Sequence, residues 1–78
     1  MPTICYISGY RFFFFSNEGK EPWHVHIEKD NALAKFWLDD LNLAANYGFT
    51  SIELNKIRKL VDSNKELFRS KWNEYFNS

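Results

Sequence analysis

The stretch Trp23-His24-Val25-His26-Ile27-Glu28 alternates apolar and polar side chains residue by residue. Successive side chains of an extended chain point to opposite faces, so this pattern describes a half-buried β-strand with Val25 and Ile27 turned to a core and His24, His26 and Glu28 on the other face. Both histidines of the protein fall in this one run. A strand with one apolar face needs a sheet around it and a covering element, and the flanking sequence supplies both.

On the C-terminal side, Glu28-Lys29-Asp30-Asn31 is a polar turn into Ala32-Leu33-Ala34-Lys35-Phe36-Trp37-Leu38, which reads as the next antiparallel strand. If Ala34, Phe36 and Leu38 share the core with Val25 and Ile27, Lys35 and Trp37 lie on the histidine face. Asp39-Asp40 then turns the chain into Leu41-Asn42-Leu43-Ala44-Ala45, expected as a further short strand. On the N-terminal side, Thr3-Ile4-Cys5-Tyr6-Ile7 and Tyr10-Arg11-Phe12-Phe13-Phe14-Phe15 flank Ser8-Gly9, a hairpin signal. The four consecutive Phe make both faces of the second strand apolar, as in a strand covered twice or one that keeps a face for a partner. Arg11 shares a face with Phe13 and Phe15. Ser16-Asn17-Glu18-Gly19-Lys20-Glu21-Pro22 is expected to be a surface loop.

Beyond Tyr47-Gly48-Phe49, Thr50-Ser51-Ile52-Glu53 is a capping box, and Phe49 and Leu54 occupy the positions of a hydrophobic staple. Leu54, Ile57, Leu60, Val61, Leu67, Phe68, Trp72, Tyr75 and Phe76 then recur at helical spacing. Lys56, Arg58 and Lys59 belong to the solvated face of that helix. Asn64 interrupts the apolar stripe, and Ser63 with Glu66 forms a second capping-box pattern, so a kink or restart is expected near Ser63. The expected architecture is a single α+β domain over residues 1–78: a small antiparallel sheet of four or five strands with a long C-terminal amphipathic helix packed on one face.

Composition narrows the function. In 78 residues, ten basic and ten acidic side chains cancel, so no global basic field draws the chain to nucleic acid. Eight Phe, four Tyr and three Trp exceed what a domain of this size readily encloses, and a surplus of rings favours an exposed contact patch. A lone cysteine, Cys5, excludes an internal disulfide and suits a reducing cytoplasm. No targeting segment or apolar run of membrane length is seen, which points to a cytoplasmic protein without membrane contact. There is no Gly-rich phosphate loop, nucleophile signature or zinc-finger spacing, and no cofactor is expected. Asp39 and Asp40 are explained as turn residues.

For the histidine face, RNA binding or cleavage is the leading expectation, with a protein-binding surface and a metal site as the alternatives. His24 and His26 lie about 7 Å apart along a strand. They can act as a general acid and base on RNA, with Arg11 and Lys35 as phosphate contacts, because imidazole titrates near neutral pH. They can instead belong to a protein-binding surface with Trp23, Trp37 and Phe13 as contact anchors, the histidines being half-exposed members of the aromatic face. With Glu28 they form a His-x-His-x-Glu row able to ligate a metal if further ligands complete the shell.

The chain also resembles a bacterial family known as domain of unknown function 4160. The likeness rests on Met1-Pro2-Thr3-Ile4, Gly9-Tyr10-Arg11-Phe12, Phe14-Phe15-Ser16-Asn17-Glu18, Glu21-Pro22 followed by His24-Val25-His26, Ala34-Lys35-Phe36-Trp37-Leu38, Gly48-Phe49 and Trp72-Asn73-Glu74-Tyr75-Phe76. Trp23 stands where the family pattern usually has a second proline. The resemblance implies no settled activity. It implies a two-gene context of toxin–antitoxin type, and with it a small cognate protein partner, RNA being the other ligand considered.

Overall fold

A computed structural model of the chain describes residues 3–15 and 20–76. Of the loop expected over residues 16–22, residues 16–19 lie outside the described residues. The element order is β1 (Thr3–Ile7), β2 (Tyr10–Phe13), β3 (His24–Lys29), β4 (Ala32–Trp37), β5 (Leu43–Tyr47), α1 (Ser51–Ser63) and α2 (Lys65–Phe76). The strands form one antiparallel sheet in the order β1-β2-β3-β4-β5. The fold is therefore α+β, a meander followed by two helices.

Local chemistry explains the turns. Ser8 and Gly9 both have positive φ, 53° and 85°, the conformation that joins two strands by a two-residue turn with the right-handed twist of a sheet. β2 is shorter than the Tyr10–Phe15 run suggests, because Phe14 and Phe15 leave the ladder after Phe13 pairs with His26. The fifth strand starts at Leu43 rather than Leu41. Leu41 is held at φ 60° in the turn, its N–H donates to the Trp37 carbonyl at 3.0 Å, and the Asp40 carboxylate accepts from the Asn42 N–H. The Asp side chain that makes this turn also consumes the two residues assigned to the strand.

Thr50 and Glu53 form the capping box in full: the Thr50 hydroxyl accepts from the Glu53 N–H at 3.2 Å, and the Glu53 carboxylate accepts from the Thr50 N–H. Thr50→Ala is expected to lower stability by about 1 kcal/mol, read as a fall in Tm of roughly 4–8 °C by circular dichroism. The apolar stripe is split at Asn64, where the expected restart next to Ser63 occurs. The Asn64 N–H bonds back to the Leu60 and Val61 carbonyls, its side-chain amide donates to Leu60 as well, and its own carbonyl accepts from Phe68. One residue thus ends α1 and starts α2.

The helices cover one sheet face. Phe12, Phe14, Val25, Ile27, Ala34, Phe36 and Leu38 meet Ile57, Val61, Phe68 and Trp72 in a single buried cluster. Phe68 stacks on Phe12 with ring centroids 5.1 Å apart, and Trp72 meets Phe14 edge-on at 5.0 Å. Cys5 packs half-buried against this cluster, and burial raises its thiol above the ordinary value of 9.0.

Candidate functional site

The face away from the helices is organised in rows that follow from strand register. Tyr6 lies opposite Arg11, Arg11 opposite Glu28, Glu28 opposite Leu33, and Leu33 opposite Tyr47, so one row crosses all five strands. The next row runs through Phe13, His26, Lys35 and Ala45, and beyond it His24 faces Trp37. Arg11, His24, His26, Glu28, Lys35 and Trp37 therefore share one sheet face. Tyr6 and Tyr47 close the first row at either end and are 70% and 66% exposed.

The histidines on this face are not half-exposed. His24 is fully buried and His26 retains 6% exposure. Their rings meet edge to face at 5.1 Å, and each is enclosed by aromatics. His26 stacks on Phe13 at 5.3 Å and takes the edge of Phe15 at 4.5 Å. His24 contacts Trp37 at 5.5 Å and Trp72 at 5.1 Å. The last contact is the instructive one, since Trp72 belongs to α2 on the opposite side of the sheet. Because β2 leaves the ladder after Phe13, the sheet is open beside His24, and the indole of α2 reaches that end of the sheet. The expectation of an uncovered surface therefore fails at His24. The ring is further fixed by its Nδ1–H, which donates to the Pro22 carbonyl at 2.9 Å; a carbonyl only accepts, so the proton is on Nδ1.

The charged groups of the face are matched. Arg11 is 3.1 Å from Glu28 and its guanidinium lies 4.3 Å from the Phe13 ring centroid. Lys35 is 2.9 Å from Glu21 and lies over the Trp37 ring at 4.5 Å. With Glu28 committed to Arg11, the His-x-His-x-Glu row does not gather, and no group of three or more His, Cys, Asp or Glu side chains able to hold a metal ion forms among the described residues. Trp23 stands apart from the other sequence-selected residues. It packs against the core side, its indole N–H donates to Asp39 at 2.6 Å, and Arg69 of α2 covers its ring at 4.8 Å. Asp39 thus does more than turn the chain: it anchors Trp23, a pairing that nothing in the local pattern announces.

A hollow of about 200 Å³ opens on the same face, lined by Phe15, His26, Leu33, Lys35, Ala45 and Tyr47 among others. Tyr47, Leu33 and Ala45 were not singled out from the sequence. The expected strand ends at Ala45, and the place of Tyr47 opposite Leu33 follows only because β5 extends to Tyr47. No helix among the described residues is long and apolar enough to cross a membrane.

No curated protein and no solved structure matches the chain. A family model described as a domain of unknown function, DUF4160, matches residues 9–73, a span that contains β2 through most of α2. The chain belongs to the DUF4160 family.

Proposed function

We propose that this protein is the binding member of a two-protein module of toxin–antitoxin type, and that it holds its small cognate protein partner on the outer face of the sheet. The observation that carries this reading is the row Tyr6-Arg11-Glu28-Leu33-Tyr47, which presents two exposed aromatic rings around an already neutralised ion pair. Exposed rings over a rigid sheet are the usual anchors of protein interfaces. A polyanion needs an uncompensated positive field, and here Arg11 and Lys35 each face a carboxylate. The buried histidines fit the same reading as rigid packing beneath the contact surface.

A second reading keeps RNA binding or cleavage centred on His24 and His26, with Arg11 and Lys35 on phosphate. It is supported by the hollow, where His26 and Lys35 come together beside Tyr47.

One experiment separates the two. The protein is co-expressed with the product of its neighbouring gene, and complex formation is measured by isothermal titration for the wild type, Tyr6→Glu and Tyr47→Glu. Each substitution is expected to weaken the complex by roughly 2 kcal/mol or more, about thirtyfold, with an unchanged circular dichroism spectrum. Degradation of single-stranded RNA by the purified wild type, lost in His26→Gln, supports the second reading and removes the first.

A further inference from the structure

We propose that the 200 Å³ hollow on the outer face is an anchor pocket for an acidic-aromatic segment of the partner: one aromatic side chain enters the hollow while a neighbouring carboxylate takes Lys35 from Glu21. This rests on the protein-binding reading above and names the chemistry that the surface selects.

Size and lining come first. A volume of about 200 Å³ falls below the roughly 300–1,000 Å³ of pockets for drug-sized ligands, so it holds a single ring rather than a larger molecule. Phe15 and Tyr47 supply aromatic walls, Leu33 and Ala45 an aliphatic floor, and the His26 imidazole is held rigid by its stack on Phe13. A ring that fills such a site exchanges water for apolar contact on several sides, the condition under which aromatic residues become interface anchors.

Charge sets the second half of the site. Lys35 lines the hollow, and its ammonium is already held by a carboxylate from within the chain, Glu21 at 2.9 Å. Glu21 belongs to an exposed stretch that precedes β3. Its carboxylate marks where an incoming Asp or Glu sits, and an exposed ion pair of this kind is weak enough to be exchanged for another. The pocket is therefore complementary to an acidic residue next to an aromatic one, and the resident Glu21 competes with it.

The test uses blocked peptides with the whole protein labelled with ¹⁵N. A Gly-Glu-Phe-Gly peptide is expected to shift the amide signals of His26, Lys35, Ala45 and Tyr47, whereas Gly-Lys-Phe-Gly and Gly-Glu-Ala-Gly leave them in place. Glu21→Gln removes the competing carboxylate and is expected to tighten Gly-Glu-Phe-Gly by roughly two- to fivefold; Lys35→Gln weakens it by a similar factor. Ala45→Phe fills the hollow and abolishes the shifts. Equal shifts with the lysine peptide, no shifts with any peptide, or larger shifts at the same residues with uridine monophosphate each overturn the proposal. Failure here is distinct from failure of the docking reading. If Ala45→Phe still binds the cognate protein while Tyr6→Glu does not, the face is an interface and the pocket is not its anchor.

Discussion

Phe68→Ala is expected to be among the most destabilising single substitutions in this chain, with urea unfolding displaced to a much lower midpoint. Phe68 is fully buried, stacks on Phe12 and is a main contact by which α2 closes the core. Truncating a core Phe costs about 3–5 kcal/mol through lost burial and the cavity left behind. A domain of this length has a total stability of about 4–12 kcal/mol at typical values per residue, so the loss removes between about a quarter of the margin and the whole of it. The check is the midpoint of the cooperative transition in urea, which falls in the variant by an amount equivalent to about 3–5 kcal/mol at constant m-value. Leu67→Ala, at an exposed position beside it, is expected to change stability by less than about 0.5 kcal/mol. A similar loss in both variants would mean that burial of the Phe68 ring is not what closes the core.

The same core explains why so much of the fold is legible in the chain. Side-chain parity along β3 and β4 assigns Val25, Ile27, Ala34, Phe36 and Leu38 to the helix side, and all five are buried there. Two turns are written in local chemistry, Ser8-Gly9 by backbone freedom and Thr50-Glu53 by reciprocal hydrogen bonds. The misplaced boundaries are also local in origin. Leu41 looks like a strand residue because its apolar character is read as burial in a sheet, whereas the Asp40 side chain bends the backbone at that point. The helix break at Asn64, by contrast, falls where the interrupted stripe places it, and there the Asn64 amide reaches the Leu60 carbonyl while its backbone serves both helices.

The site is legible only to the level of the face. Period-two alternation says which side of the sheet a residue occupies, and Arg11, His24, His26, Lys35 and Trp37 are indeed on one side. It carries no information about what arrives from elsewhere in the chain. Trp72 against His24, Asp39 on Trp23 and Glu21 on Lys35 are contacts between residues distant in sequence, and each changes the chemistry of a residue that looked exposed. A surface of neutralised charges over packed imidazoles differs from an open row of titratable groups, although both are written His-x-His.

That difference is measurable at His24, where the second large effect is expected. His24→Ala removes a fully buried ring, and with it contacts to Trp37, His26 and Trp72 and the hydrogen bond to Pro22. The cavity alone is comparable to other large-to-small core changes, about 2–4 kcal/mol, and the lost hydrogen bond to the Pro22 carbonyl adds about 0.5–1.5 kcal/mol. His24→Asn separates the two contributions, since its amide can still donate toward Pro22 while the ring is lost. It is expected to recover part of the deficit, of the order of 1 kcal/mol. His26→Ala removes a ring that lines the hollow and retains some exposure, so water enters the space and the loss is smaller than at His24. Midpoints of urea unfolding at constant m-value give the order His26→Ala, His24→Asn, His24→Ala from most to least stable. An unchanged midpoint in His24→Ala would place the ring outside the packed structure and return it to the role of a surface acid–base group. A large loss assigns His24 to the joint between the sheet and α2, and leaves His26 as the histidine that lines the hollow.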